Sequence, residues 1–334
     1  MAGSTFGTIF KIMTWGESHG EALGVVIDGC PAGLKLDVSD IQAFLDRRKP
    51  GQSDITSPRK EDDKAEILSG IFKGKTTGTP ISIIVKNTNQ RSEDYDELAH
   101  IYRPGHADFT YDYKYDFRDF RGGGRASGRE TIGRVAAGAV AAKLLGVLGV
   151  DISSQAIFDE DKITDVMKSG DSLGSIVECR ITKVRPGIGE PVFDKLDARL
   201  AQAIMSIGAV KAVEIGAGCA VSKTLGSENN DEFLCFEDNE NSKLTNNSGG
   251  ILGGISDGDE IFIRAHFKPT PSISLPQKTI NTQGEATEVQ IKGRHDPVIA
   301  PRAAVVVEAM AALAILDLFL IDRSCRMYDI TELS

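Results

Sequence analysis

Cysteine is sparse in this chain and poorly spaced for chemistry. Its five thiols, Cys30, Cys179, Cys219, Cys235 and Cys325, are odd in number and form no CxxC pair. That argues against a disulfide framework and for a reducing compartment. The five histidines lie far apart, with no HxxxH or HExxH pairing, so no metal centre is expected. A GxGxxG dinucleotide fingerprint is missing as well,. The most apolar run, 303–320, is broken by Glu308 and Asp317, which fits a buried core helix better than a bilayer span. The first twenty residues hold no charged segment leading into an apolar one, so no secretory signal is expected. Basic residues are in deficit, 38 Lys and Arg against 48 Asp and Glu for a net charge of −10, which speaks against nucleic acid as the main partner. The expectation is a cytoplasmic protein with no membrane partner, and with ample apolar material, 41% of residues, for a sizeable core.

Against this acidic background one segment stands out. Residues 103–134, RPGHADFTYDYKYDFRDFRGGGRASGRETIGR, hold six arginines, one lysine, one histidine and three consecutive glycines. Arginine forks bind phosphate and carboxylate in bidentate fashion, and glycines let backbone approach a ligand closely. The pattern points to a site for anionic groups.

Apolar alternation or short apolar runs predict strands over Thr8–Thr14, Gly24–Ile27, Ile81–Val85 and Ser175–Val184, with others around Val213–Lys223 and Glu260–Phe267,. Helical periodicity marks Val38–Arg47, capped by Asp37 or Ser39, then Arg129–Leu148, Phe193–Met205 and Ala303–Ile321,. The stretch Gly226–Ser248, rich in Asn, Ser, Asp and Glu, reads as an exposed excursion,. Two Ala/Leu-rich helices, each following a glycine-containing motif, suggest an internal pseudo-repeat. With no linker in view, residues 1–334 are expected to form a single layered α+β domain, its sheets sandwiching or flanked by helices.

The motifs offer chemistry with alternatives. In Gly16-Glu17-Ser18-His19-Gly20, His19 among small residues suits a general acid near neutral pH, or merely closes a turn. The same letters match G-x-S-x-G, but a nucleophile elbow leads into a helix, and here the strand-like run Gly24–Ile27 follows. Arg103-Pro104-Gly105-His106-Ala107-Asp108 sets a second histidine beside a basic group, whereas His100 and His266 read as structural. A helix placed to begin near Ser127 would offer its N-terminus to an anion, with Arg125 and Arg129 beside it; Ser127 either donates there or caps the helix. Gly253 lies in GGILGGISDG, and Lys268-Pro269-Thr270-Pro271-Ser272 forms an extended, hydroxyl-bearing segment or a stiff surface loop,. Asp296, after Arg294 and His295, accepts a proton or caps the turn before Pro297.

Taken together and in order, GESHG, DRRKPG, RPGHADFTY, RGGGRASGRET, SIGAVKAVEIG, GGILGGISDG, KPTPSI and GRHDP, spanning residues 16–297, resemble chorismate synthase. The resemblance implies a β-α-β sandwich with internal pseudo-symmetry, assembled as a homotetramer. It implies phosphate elimination from 5-enolpyruvylshikimate 3-phosphate to give chorismate, dependent on reduced FMN without net redox change. Carried over by motif, His19 protonates the departing phosphate, and His106 holds the reduced flavin in its required protonation state. Asp296 takes part in proton removal through the flavin, with Ser18 and Ser127 as relays. The FMN positions map to Arg125, Ala126, Ser127, Gly208, Ala209, Gly253, Lys268, Pro269, Thr270, Pro271, Ser272 and Arg294. Arg48, Arg103 and Arg129 map to substrate anions, and Arg48 also to a position assigned to NADPH (NADP), a reductant of the flavin. Two departures stand out. Asp54 replaces an arginine common in the family, and the region around Ile157–Asp161 is shorter than usual. The competing readings are a flavin oxidoreductase driven by NADPH and a non-catalytic phosphate- or flavin-binding protein.

Overall fold

The computed structural model describes residues 3–51, 62–87, 98–237, 240–291 and 296–331. In its first half run β1 (Thr5–Phe6), β2 (Lys11–Trp15), β3 (Ala22–Asp28), α1 (Val38–Arg48), β4 (Ala65–Ile67), β5 (Ile71–Phe72), β6 (Lys75–Thr76), β7 (Ile81–Lys86), α2 (Asp108–Tyr115) and α3 (Thr131–Val147). The second half continues with β8 (Asp151–Ile157), α4 (Glu160–Ser169), β9 (Ser175–Thr182), α5 (Leu196–Met205), β10 (Val210–Ile215), α6 (Gly226–Asn229), β11 (Phe233–Glu237) and β12 (Glu240–Lys243). Then come β13 (Ile251–Leu252), β14 (Ile255–Ser256), β15 (Ile261–Phe267), β16 (Gln277–Ile280), β17 (Ala286–Val289), α7 (Ala300–Asp322) and α8 (Met327–Thr331).

Two antiparallel sheets enclose the long helices. The first has the order β1-β2-β3-β7-β4, the second β10-β15-β9-β8. In β7 the side chains of Ile81, Ile83 and Val85 point inward, and in β15 those of Ile261, Ile263, Ala265 and Phe267, the period-two burial that half-buried strands require. α3 packs on the first sheet, α7 on the second, and the two helices pack on each other. Gly138 permits this crossing, since a Cβ there would lie 2.3 Å from the Cβ of Ala309. α7 is apolar and long enough to cross a membrane by length and composition, but 78% of its most apolar window is buried between the sheets. This is the β-α-β sandwich that the resemblance implied, and the layered α+β unit expected from the residue pattern.

The internal symmetry is visible in single atoms. Substituting β2, β3, β7 and β4 by β8, β9, β15 and β10 turns the four-strand core of the first sheet into the second. The hairpins β5–β6 and β13–β14 share the spacing G-I-x-x-G-x-[ST]-x-G, from Gly70 to Gly78 and from Gly250 to Gly258. Thr76 Oγ1 accepts from Leu34 N at 2.9 Å and donates to Pro31 O at 2.6 Å. Ser256 Oγ accepts from Ile188 N at 2.9 Å and donates to Arg185 O at 2.7 Å. At the third step of the pattern both halves turn left-handed, with φ +48° at Lys73 and +61° at Gly253.

Several boundaries differ from expectation, each for a local reason. The first long strand begins at Lys11, not Thr8, because the amides of Thr8, Ile9 and Phe10 donate to the Asp317 carboxylate at 2.7–3.0 Å. β9 stops at Thr182, since Lys183 turns to φ +63°. The chain leaves β10 at Ile215, and 218–223 form a 3-10 turn rather than more strand. α1 is capped by Asp37, whose side chain accepts from Ser39 N at 2.9 Å while Asp40 returns the bond to Asp37 N at 3.0 Å, a capping box. The expected helix over Arg129–Leu148 begins later, at Thr131. Ser127 instead caps a 3-10 turn over 128–130. α5 starts at Leu196 rather than Phe193, and α7 extends the expected Ala303–Ile321 to Ala300–Asp322. The stretch 226–248 carries α6 and the β11–β12 hairpin, so it is not irregular throughout.

Candidate active site

The turn carrying His19 joins β2 to β3, neighbours in the first sheet. Gly20 N donates to Glu17 O at 3.1 Å, closing the turn. Ser18, buried, sets its Oγ 3.1 Å from His19 Nδ1 and 3.5 Å from Arg121 O. The glycine triplet packs over this turn, where a Cβ on Gly122 (φ +62°) would lie 2.1 Å from His19 Cε1 and 3.1 Å from Ser18 Oγ. Of the triplet, Gly122 is the member that this close approach to the histidine requires.

The expected arginines surround this turn in two groups. Arg103, buried, donates from Nε and Nη2 to the two oxygens of Asp108, each at 2.7 Å, and its backbone N adds a bond at 3.0 Å. Burial works to raise the Asp108 carboxyl, but the hydrogen bonds and charge of Arg103 outweigh it and hold the group below its ordinary value,. Arg48 and Arg129 converge on Asp63. Arg48 Nη2 lies 2.5 Å from Oδ2, and Arg129 Nη2 lies 3.2 Å from Oδ1 and 2.7 Å from Asn87 Oδ1. Here too burial raises, and the two guanidinium charges hold Asp63 below its ordinary value. Arg302 extends the network, donating from Nε to Arg48 O at 3.1 Å and pairing through Nη1 with Asp296. Asp296 is thus ion-paired rather than a simple cap.

The second histidine belongs to another cluster. His106 Nδ1 lies 3.0 Å from Pro104 O, and Nε2 lies 2.9 Å from Ser272 Oγ. A carbonyl can only accept, so Nδ1 carries the proton and Nε2 accepts from the serine in the neutral ring. Burial, with the Arg103 charge nearby, pushes the His106 pKa down to about 4. Lys268 Nζ donates to Gly105 O at 2.7 Å, and Lys268 N donates to Ala209 O at 2.9 Å, where Ala209 holds φ +74°. Burial and Lys211 lower the Lys268 pKa. The Thr270 hydroxyl is buried and lacks a hydrogen-bond partner among the described residues. The extended loop 268–272 is therefore docked against the His106 loop.

Other expected positions face elsewhere. Arg125 donates to Thr14 Oγ1 at 2.8 Å, to Gly16 O at 3.3 Å and to Ser4 Oγ at 3.3 Å, bracing the base of the His19 turn. Ala126 N bonds to Gly123 O. Ser127 Oγ accepts from Arg129 N at 3.4 Å, so it caps its turn. Gly253 sits on the β13–β14 hairpin, whose next residue, Gly254, abuts the Lys195 side chain at the start of α5. A Cβ at Gly208 or Gly253 would meet nothing within 4 Å. Arg294, His295 and Asp54 lie outside the described residues. Asp63, Asn87, Asp108 and Arg302 escaped sequence reasoning because each is a lone polar residue outside a motif or a second member of one. Two surface cavities, of ≈ 430 and ≈ 610 Å³, lie away from this network, the first beside Lys35, Lys73 and Lys143, the second beside Phe44, Ala139 and Ile152.

Comparison with known proteins points to one family. A family model described as chorismate synthase matches residues 10–158 and 154–320. The chorismate synthase of Lachnospira eligens is 59% identical over 363 positions covering 99% of each chain. That of Methanocella arvoryzae is 53% identical, covering 95% of this chain and 94% of its own. A crystal structure of chorismate synthase superimposes with a TM-score of 0.76 at 30% identity, covering 98% of this chain and 96% of that one. An alignment of 363 positions exceeds the 334 residues here, so the Lachnospira protein carries residues this chain lacks. The family match divides at 154–158, where β8 runs almost directly into α4, beside the region expected to be shortened. By sequence and by fold the chain belongs to the chorismate synthase family, enzymes of the shikimate pathway.

Proposed function

We propose that the protein eliminates phosphate in the anti-1,4 sense from 5-enolpyruvylshikimate 3-phosphate to give chorismate, and that it depends on reduced FMN. The observation that carries this reading is the seating of the His19 ring against Gly122, with the turn that bears it tied through Asn87 to Arg129. In the elimination a C–O bond breaks with its electron pair leaving on phosphate, a C–H bond gives up its proton, and a C=C bond forms. His19 protonates the departing phosphate, oriented by Ser18 at 3.1 Å. Arg48, Arg103 and Arg129 bind the phosphate and carboxylates, since forked guanidinium donors suit such anions. Asp296, held by Arg302, takes part in removing the C–H proton, with Ser127 as a relay.

The residues around His106 fit a flavin phosphate and ring edge. Lys268, the buried Thr270 hydroxyl, which lacks a partner among the described residues, and Ser272 line one extended segment stiffened by Pro269 and Pro271. Gly208 and Gly253 have open space where a Cβ would stand, and Ala209, Arg125, Ala126, Ser127 and Arg294 join the set by motif. Reduced FMN, held by these residues, would supply transient electron density to the substrate. His106, neutral and hydrogen-bonded at both nitrogens, keeps the flavin in the protonation state required. NADPH enters only as a reductant of the flavin, with Arg48 as its contact. The chain works as one domain over residues 1–334, in a cytoplasmic homotetramer.

The test is an anaerobic assay with 5-enolpyruvylshikimate 3-phosphate and chemically reduced FMN, following chorismate and phosphate. Many turnovers without net flavin oxidation are expected. Folded protein that binds reduced FMN yet forms no chorismate would overturn the proposal.

A further inference from the structure

One side chain spans the gap between the His19 turn and the arginine network. β7 ends at Lys86, which pairs with Ala22 in β3. Asn87 falls one residue beyond, and its backbone N still donates to Glu21 O at 3.0 Å. The sheet therefore fixes where the Asn87 side chain starts. Its Oδ1 accepts from Arg129 Nη2 at 2.7 Å, and its Nδ2 donates to Gly20 O at 2.8 Å and to Glu17 O at 3.2 Å. Only this orientation of the amide suits its neighbours, because a guanidinium can only donate and carbonyls can only accept. The two carbonyls belong to the two ends of the turn, Glu17 and Gly20, and Ser18 and His19 lie between them.

We infer that Asn87 is a positioning residue that clamps the His19 turn to Arg129, so that anion binding at the arginine is felt at the histidine. This rests on the reading of His19 as proton donor and Arg129 as anion ligand given above. Arg129 also touches Asp63 at 3.2 Å. An arriving anion therefore competes for the same guanidinium that anchors the clamp. No other side-chain type of this size offers one acceptor and two donors on a single planar group. A carboxylate would repel both carbonyls, and an alanine would reach neither side. Misplacement of a reacting group by about 1 Å can cost on the order of 10²-fold in rate, which sets the scale of the effect.

The experiment compares wild type with Asn87→Ala and Asn87→Asp, reading kcat and KM for 5-enolpyruvylshikimate 3-phosphate with reduced FMN. It also reads the His19 ring proton by NMR during titration with inorganic phosphate, the signal being assigned by its loss in His19→Gln. The expected result is a fall in kcat of about 10- to 100-fold for both variants, and a His19 signal that no longer follows phosphate as it does in wild type. The isosteric Asn87→Asp guards against a collapsed fold, and its loss should equal or exceed that of alanine. Variants with kcat within twofold of wild type and a wild-type His19 response would overturn the inference. If wild type itself forms no chorismate, the proposed function fails, and the His19 comparison alone then decides the clamp: an altered response sustains it and an unaltered one overturns it.

Discussion

The Cβ that Gly122 lacks would occupy a point 2.1 Å from Cε1 of His19 and 2.3 Å from its Nδ1. Both contacts are far shorter than a non-bonded carbon can make, so Gly122→Ala must push the imidazole off its seat. The left-handed φ of +62° adds backbone strain of about 1 kcal/mol,. Chorismate formation should fall about 100-fold or more while the far-ultraviolet circular dichroism stays that of wild type. A variant within threefold of wild type would show that the ring does not work from this position.

His106 links the site to acid stability. Its folded pKa, about 4, lies below the usual value near 6.5,. Between those values the unfolded chain binds more protons than the native one, so the contribution of this group is complete above about pH 6.5 and drains away as pH falls toward 4. His106→Gln keeps a polar group without a titrating one. Its urea midpoint should therefore depend less on pH than that of wild type between pH 7 and 4.5. Parallel curves would contradict the assignment.

Asp63 is a buried anion between two arginines, and Asp63→Asn leaves Arg48 and Arg129 without their shared charge. Removing one member of a buried ion pair costs about 3–5 kcal/mol. The folded pKa of Asp63 lies below its ordinary value, so its stabilisation is full above the unfolded carboxylate pKa, about 3.9, and is lost as pH falls through the depressed value. Denaturant titration should show a large deficit for the variant at pH 7 that narrows at acid pH. An equal deficit at both would point to packing rather than charge.

Far from the chemistry, Asp317 on α7 accepts the amides of Thr8, Ile9 and Phe10 and pairs with Arg199 at 3.2 Å. Asp317→Ala would strand three backbone donors and leave Arg199 with only its longer ion pair, to Asp194 at 3.5 Å. A loss of about 3–5 kcal/mol is expected, read as a lower urea midpoint with an unchanged slope.

These cases show what can be read from residues in line and what cannot. Apolar helices such as α7 and alternating strands such as β7 and β15 follow from local pattern, because burial dictates their period. β8 was missed because it is an edge strand whose inward residues are only half buried, so its alternation is faint. The two-residue strands of the hairpins carry too few positions for any period, yet their shared spacing was there to be read. At the candidate site, His19, His106 and the arginines sit in compact motifs, which is why a sequence reading singles them out. Asn87 and Asp63 were not, because their meaning lies in what approaches them from 42 and 66 residues away. Ser127 pointed to a helix start that a 3-10 turn postponed, since its hydroxyl caps that shorter turn.

The twinned hairpins leave the molecule with an internal control. Thr76 and Ser256 make the same bonds to equivalent backbone, so agreement between the halves records what any copy of this unit needs in order to fold. Lys73 bears a side chain at the left-handed step where Gly253 bears none, although a Cβ at Gly253 would meet nothing within 4 Å. Exchanging those two residues would show whether the second copy needs that step bare or merely tolerates it so.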